Sequence, residues 1–376
     1  MKKKKFLEIL GGITMGFISV IFMFFLIMEA EKVMALYPED KEVYILIITI
    51  IVAYFAYHIQ ILIHEVGHLI FGKLSGYKFS SIRLGSIMLI KKRNKYKFKT
   101  LKIIGTGGQC IMNPPNLDEN NDYPATLYNL GGSILNLIAS SILITISLLI
   151  NETNFSTMIL KIFSYFGFYF AALNGIPMKA GMVDNDGYNA ISLNKNKQAK
   201  KAFWIQLKTN QLLNENKRLK EMPEELFKVD KDADLTNTLI ATQAAYECNL
   251  LMDKHEFAKA NKKMKDLLKK ETSLVGVHQN LLICDMIYCE LIEGELKKAE
   301  KLYTNDLKNF MKSMKDFPSI IRTNYVISLI LEKNEDKAKK YQKDFYQRAK
   351  TYPYQSDIAS EKELISIARK TIEKEL

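Results

Sequence analysis

The sequence predicts a membrane-embedded all-α protein of about four transmembrane helices. A short membrane-associated β-hairpin and loop interrupts them, and a soluble all-α domain of helical-hairpin repeats follows. Three observations lead there. Nearly all the long apolar runs lie before Pro177, whereas the chain after Lys195 is charged and amphipathic. The segment between the second and third runs alternates with period two, which is the strand period. At 376 residues the chain is also too long for one small domain.

A transmembrane helix needs ~20 apolar residues, and four segments supply them. The first covers about residues 6–28 behind the basic start Lys2 to Lys5. Its apolar run is too long for a signal peptide and lacks a small-residue cleavage site, so an uncleaved anchor is expected. The others run from about 43 to 71, 125 to 150 and 155 to 176. Loop charge sets their direction. Glu29, Glu31, Glu39, Asp40 and Glu42 outnumber Lys32 and Lys41 in the first loop. The segment from Lys73 to Asp122 carries Lys91, Lys92, Arg93, Lys95, Lys97 and Lys99, and Asn151 to Asn154 has no basic residue. The positive-inside rule then places both termini in the cytoplasm. Lys161, near the outer end of the fourth span, is expected to snorkel.

The net charge of +12 comes mostly from lysine. It reads first as a lysine-rich composition plus topology signals. No nucleic-acid-binding motif accompanies it, and contact with anionic lipid headgroups is favoured over a nucleic-acid role because the charge sits beside the spans. Cys110, Cys248, Cys284 and Cys289 form no C-x-x-C pair, and no disulfide framework is expected.

The second span ends in His64-Glu65-Val66-Gly67-His68. An H-E-x-x-H on a helix puts both imidazoles on one face, one turn apart. The glutamate beside them is placed to take a proton from a metal-bound water. Ionisable groups at that depth are costly and read as functional. Zinc in a hydrolase usually takes three protein ligands. A third ligand can come from Asp184-Asn185-Asp186-Gly187, where the chain returns to the same face after Asn174-Gly175-Ile176-Pro177. Asp186 is the first candidate, because Gly187 lets the backbone turn tightly; Asp184 is the alternative.

These paired motifs resemble the site-2 protease family of intramembrane metalloproteases, peptidase family M50. The resemblance implies zinc held by His64, His68 and Asp186, with Glu65 as catalytic base. Gly131-Gly132-Ser133-Ile134-Leu135-Asn136 is similar to the family's G-P-x-x-N element, with Ser133 where proline is usual. Asn136 would then face the active site; the alternative is an interhelical hydrogen bond. No stretch looks like a PDZ insertion. The resemblance covers about residues 43–190. The chain accordingly divides into an anchor helix and external loop (1–42), a metalloprotease core (43–190), a linker with helices (191–234) and a cytoplasmic helical-repeat domain (235–376).

Beside this core, Tyr77 to Leu89 and Tyr96 to Ile104 read as two strands around the basic turn Lys91 to Lys95. Gly105-Thr106-Gly107-Gly108-Gln109-Cys110 follows. A helical substrate shields its peptide bonds, so an exposed strand edge is expected to hold it extended. Gly107 and Gly108 would allow close backbone approach, and Asn136 and Asn174 complete the expected substrate contacts.

In the last part, Ala260, Ala299 and Ala338 recur at intervals of 39 residues. Each sits early in a basic helix that follows an apolar one. This pattern looks like degenerate tetratricopeptide-type hairpins, whose usual period is ~34 residues, and such surfaces bind a peptide or a partner protein.

The expected function is that of a one-zinc endopeptidase of a bacterial plasma membrane. It would cleave a membrane-protein or peptide precursor in or near its transmembrane segment. The alternative is a membrane-tethered repeat scaffold, or a peptide export or immunity factor, with a metal site that does no catalysis.

Overall fold

Membrane helices gain little from burying apolar side chains against one another, because lipid is equally apolar. Their contacts are therefore built from small residues and buried hydrogen bonds. A computed structural model describes residues 2–92, 95–103, 105–120, 122–180, 183–230 and 232–375. Its first half follows that rule. In chain order it holds α1 (Lys2–Met34), α2 (Glu42–Leu74), β1 (Lys78–Leu84), β2 (Ile87–Lys92), β3 (Lys95–Thr100), β4 (Gly108–Asn113), α3 (Thr126–Ile150) and α4 (Phe155–Gly175). The two short strands β5 (Lys179–Ala180) and β6 (Val183–Asp184) and the helix α5 (Asp186–Lys195) come next. The second half is helical: α6 (Lys197–Asn214), α7 (Thr238–Asp253), α8 (Phe257–Lys269), α9 (Gly276–Ile292), α10 (Leu296–Leu302), α11 (Asn305–Ser313), α12 (Pro318–Val326), α13 (Glu335–Thr351) and α14 (Gln355–Glu375).

The chain divides into two compact units. The first comprises Met1–Gly85 and Gly105–Lys197, and the second comprises Ser86–Ile104 and Gln198–Leu376. Among the described residues, α1 to α4 are long and apolar enough to cross a membrane.

In the first unit, most buried residues of α2 form one stripe, Ile45, Thr49, Ala56, Gln60, His64, Gly67, His68 and Gly72, with Ile61 and Glu65 buried beside it. That spacing of three and four is the helix period. The facing stripe of α3 is small or polar: Gly131, Gly132, Ser133, Asn136, Ser140 and Ser147. The Ser164 hydroxyl on α4 donates to the Ser140 carbonyl at 2.8 Å. At the α3–α4 turn, Asn151 takes a left-handed conformation with φ 51°. Asn154 and Thr157 then cap α4 reciprocally, side chain to backbone, at 3.0 and 3.1 Å. Lys161 does not simply snorkel: its Nζ lies 2.7 Å from Oε1 of Glu29, whose carboxylate is buried at the end of α1. An unpaired charge there would be costly, so the pair fastens α1 to α4.

The strand reading needs correction. The stretch read as one strand, Tyr77 to Leu89, breaks at Gly85, which has φ +57°, into β1 and β2. The glycine loop does not remain a loop but enters β4, which pairs antiparallel with β1. The expected hairpin exists as β2 against β3, but it belongs to the second unit. Met88 and Ile90 of β2, with Leu101 beyond β3, are part of that unit's hydrophobic core. Of the basic turn, Arg93 and Asn94 lie outside the described residues, as does Ile104.

In the second unit Ala260, Ala299 and Ala338 are all essentially buried. Each follows a turn residue with positive φ: His255 (62°), Gly294 (77°) and Lys333 (50°). The first two turns close with a bond from Glu256 N–H to the Leu251 carbonyl and from Glu295 N–H to that of Glu290. In the third, the π-helical turn Ile327–Leu331 adds one residue, and Asn334 N–H reaches back to Ser328. Arg322 of α12 is buried, bonded to Asp285 of α9 and to Glu361 of α14, and stacks at 5.0 Å on Tyr288. A buried guanidinium with two carboxylates ties three helices together, and losing either partner would leave a charge uncompensated.

Burial pushes the neighbouring Asp357 carboxyl up to about 7, with Glu361 and Asp253 adding to the rise. Folding therefore favours its protonated form. The stability this supplies is complete below the unfolded carboxylate value of about 3.9 and is lost as pH rises through 7. Asp357→Asn is expected to raise the unfolding temperature of this unit at pH 8, with a smaller gain at pH 5. Fluorescence of Trp204, the single tryptophan, reads the transition.

Candidate metal centre

His64 and His68 stand one turn apart on α2, and Asp186 opens α5. Their donor atoms meet. His64 Nε2 lies 3.1 Å from His68 Nε2 and 3.0 Å from Asp186 Oδ2, and His68 Nε2 lies 3.4 Å from the same oxygen.

The protons on these rings can be assigned from the bonds around them. The Asn136 amide nitrogen donates to the Gln60 backbone carbonyl at 3.0 Å and to the Gln60 side-chain oxygen at 2.7 Å. A backbone carbonyl only accepts, so the amide oxygen of Asn136 must face His64 Nδ1, 2.9 Å away. That nitrogen is the protonated one. His68 Nδ1 donates to the Tyr128 carbonyl at 2.7 Å. In the neutral imidazoles both Nε2 atoms therefore turn lone pairs toward each other and toward a carboxylate. Three acceptors this close repel unless a proton or a metal ion sits among them.

The geometry suits zinc. Ligands ~2.0–2.1 Å from a tetrahedral zinc lie about 3.3 Å from one another, and the three donors form a triangle of that size. Two imidazoles and one carboxylate are a hydrolytic zinc set, which leaves a fourth position open. The hydrogen bonds behind the imidazoles fix the rings in ligating orientation.

Close backbone approach makes this convergence possible. An added Cβ on Gly67 would lie 2.3 Å from the Gly131 carbonyl oxygen, and one on Gly132 would lie 2.4 Å from the His64 ring. Gly187 acts in the same way. It lies within α5 rather than in a turn, and its missing Cβ makes room for the Gly175 carbonyl oxygen, 2.2 Å from where that Cβ would be. The tight-turn argument for Gly187 is thus replaced by a packing one. The turn itself is made by Asn185, the N-cap of α5, whose side-chain oxygen accepts from Tyr188 N–H at 2.9 Å. Asp186 belongs to the metal-capable group with His64 and His68, whereas Asp184 lies on β6, paired with Lys179.

Glu65 is buried beside the histidines, and Gly108 of β4 presses against it: an added Cβ there would be 2.5 Å from Oε1. Gly107 lies against Ile61 and Tyr57. Asn136 is engaged on both sides within the protein. Asn174 donates to the Phe170 carbonyl at 3.1 Å, and its backbone adjoins Gly187. Cys110 is a packed, buried residue of β4. Sequence reasoning missed Gln60 and Tyr128. A polar residue one turn before His64 in an apolar span is a readable signal. Tyr128 acts through its backbone carbonyl, for which side-chain identity gives none.

Residues 52–314 match the family model described as Peptidase family M50. The match runs beyond about residue 190, where the motif resemblance ends, and extends into the helical unit. No curated protein and no solved structure matches the chain.

Gly132→Ala forces the His64 ring to move, and Gln60→Ala frees Asn136 to rotate. Each is expected to weaken metal binding ~10–100-fold, the usual cost of disturbing a ligand's support. Gly16→Ala, whose Cβ meets nothing within 4 Å, is expected to leave it unchanged. Competition with a chromogenic chelator measures all three.

Proposed function

The chain belongs to peptidase family M50, a family of metalloproteases, and on that premise we propose a zinc-dependent intramembrane endopeptidase. It cleaves a peptide bond in or near the transmembrane segment of a membrane-protein or peptide precursor. The observation that carries this reading is the triangle of His64, His68 and Asp186 donors on apolar helices, with Glu65 beside it. His64, His68 and Asp186 hold the ion, and Asn136 and Tyr128 orient the imidazoles. When bound, zinc polarises the scissile carbonyl and makes water acidic. Glu65 takes a proton from the attacking water and delivers it to the leaving amine.

Substrate must be unwound before its carbonyls are reachable. Gly108 at the start of β4 lies against Glu65, and Gly107 against Ile61 and Tyr57, so an extended segment laid along both glycines would pass the base. In this reading Asn174 is a further substrate contact. The second unit recruits the substrate's cytoplasmic portion through tetratricopeptide-like hairpins. Tyr96 and Phe98, exposed between Lys95, Lys97 and Lys99 of β3, suit a headgroup layer. Both termini lie on the cytoplasmic side of a bacterial plasma membrane.

Glu65→Gln keeps the ligands and removes the base. In native membranes it is expected to lower processing ~10²–10⁴-fold, the usual contribution of a general base. Quantitative proteomics of membrane fragments would show a full-length precursor accumulating while its soluble fragment disappears. Matching fragment profiles in wild type and Glu65→Gln would remove the protease reading.

A further inference from the structure

Arg83 is among the largest fully buried side chains in the protein, yet the reaction just described gives it no part. It leaves β1 and donates to the Gly85 carbonyl at 2.5 Å and to Thr106 Oγ1 at 2.5 Å. Longer contacts of 3.5 and 3.3 Å reach the carbonyls of Thr106 and Gly108. Gly85 N–H in turn donates to the Gly107 carbonyl at 2.8 Å. The guanidinium thus grips the chain just before it leaves the first unit, at Gly85, and just after it returns, at Gly105.

Backbone pairing holds the returning segment at Gly107, through Gly85 N–H, and at Gly108, opposite Leu84 of β1. Of Gly105-Thr106-Gly107-Gly108, only Thr106 carries a side chain, and Arg83 takes its hydroxyl. This is also the segment pressed on the base: an added Cβ on Gly108 would sit 2.5 Å from Glu65 Oε1 and 2.8 Å from Ile61 Cγ2. A guanidinium offers a planar fork of five donors, which suits several carbonyls and a hydroxyl at once; an ammonium cannot reproduce it.

We propose that Arg83 is a positioning residue. Through Thr106 and the Gly85 and Gly108 carbonyls it holds the glycine segment at a fixed distance from Glu65, and so aligns the bound peptide with the base. The inference rests on the endopeptidase reading. Misalignment of a bound reactant by about 1 Å costs ~10²-fold in rate. The loss therefore belongs in kcat rather than in metal content.

The test uses the full chain in detergent micelles, fluorescein-labelled casein as an unfolded probe, and zinc content measured on the same samples. Wild type, Arg83→Met, Arg83→Lys, Thr106→Val and Glu65→Gln are compared per zinc-loaded chain. The expected result is one zinc throughout. Arg83→Met loses about a hundredfold in kcat with KM within threefold, Arg83→Lys recovers only part, and Thr106→Val falls between. Should Arg83→Met fail to fold, Thr106→Val carries the test alone. A kcat within threefold of wild type in the folded variants, or a change confined to KM or zinc content, overturns the proposal while Glu65→Gln stays inactive. Casein cleavage equal in wild type and Glu65→Gln overturns the endopeptidase reading, and the Arg83 inference with it.

Discussion

The site depends on a backbone-to-backbone contact. Where α2 crosses α3, Gly67 and Gly131 leave no room for a Cβ on either side. Only at that separation does Asn136 reach His64, and only then does the Tyr128 carbonyl reach His68. Lipid gives these helices no hydrophobic reason to associate. The contact must therefore be held by packing and by the buried hydrogen bonds it allows. Gly167 on α4 repeats the device, since an added Cβ would overlap Ser140 and Gln60. The residue that anchors Asn136 is thus itself held by a third helix.

Some of the polar groups inside these helices form a connected relay. Gln60 donates to the Phe163 carbonyl of α4 at 2.8 Å and accepts from Asn136, which accepts from His64. Every polar atom in that relay has a partner, as burial in a low-dielectric region requires. Glu29 and Lys161 solve the same problem near the other end of the bundle by pairing. Gln60, Asn136, Ser140 and Ser164 are buried where the helices meet, and the large apolar side chains Phe17, Val20, Leu148 and Leu149 are left on the outside.

The chain threads its two units unusually. Residues 86–104 leave the first unit between strands β1 and β4 and contribute Met88, Ile90 and Leu101 to the core of the second. The excursion ends a few residues before Glu65's neighbour Gly108, and it begins at Gly85, whose N–H bonds the Gly107 carbonyl. A site made of side chains on rigid helices is thereby bordered by a segment with connections to another unit. A buried guanidinium at both crossings restrains that segment where its glycines cannot.

The sequence by itself determined the parts that depend on local periodicity. Apolar length marked four helices. The i, i+4 spacing put His64 and His68 on one face, and Ala260, Ala299 and Ala338 fall near the starts of three of the second unit's helices, α8, α10 and α13. What it left open depended on contacts between distant segments. Asp184 and Asp186 differ by two residues, and only the cap at Asn185 with the Gly187–Gly175 contact decides which carboxylate joins the histidines. The strand run from Tyr77 to Leu89 reads as continuous, because a single Gly85 with positive φ is a weak local signal; its division is decided by β4 returning to pair with β1. Gln60 looks like one more polar residue in a span until α3 brings Asn136 against it. Helical and strand periods are written in neighbouring residues, whereas a metal site is written in the distances between helices, and those are set by side chains that are absent.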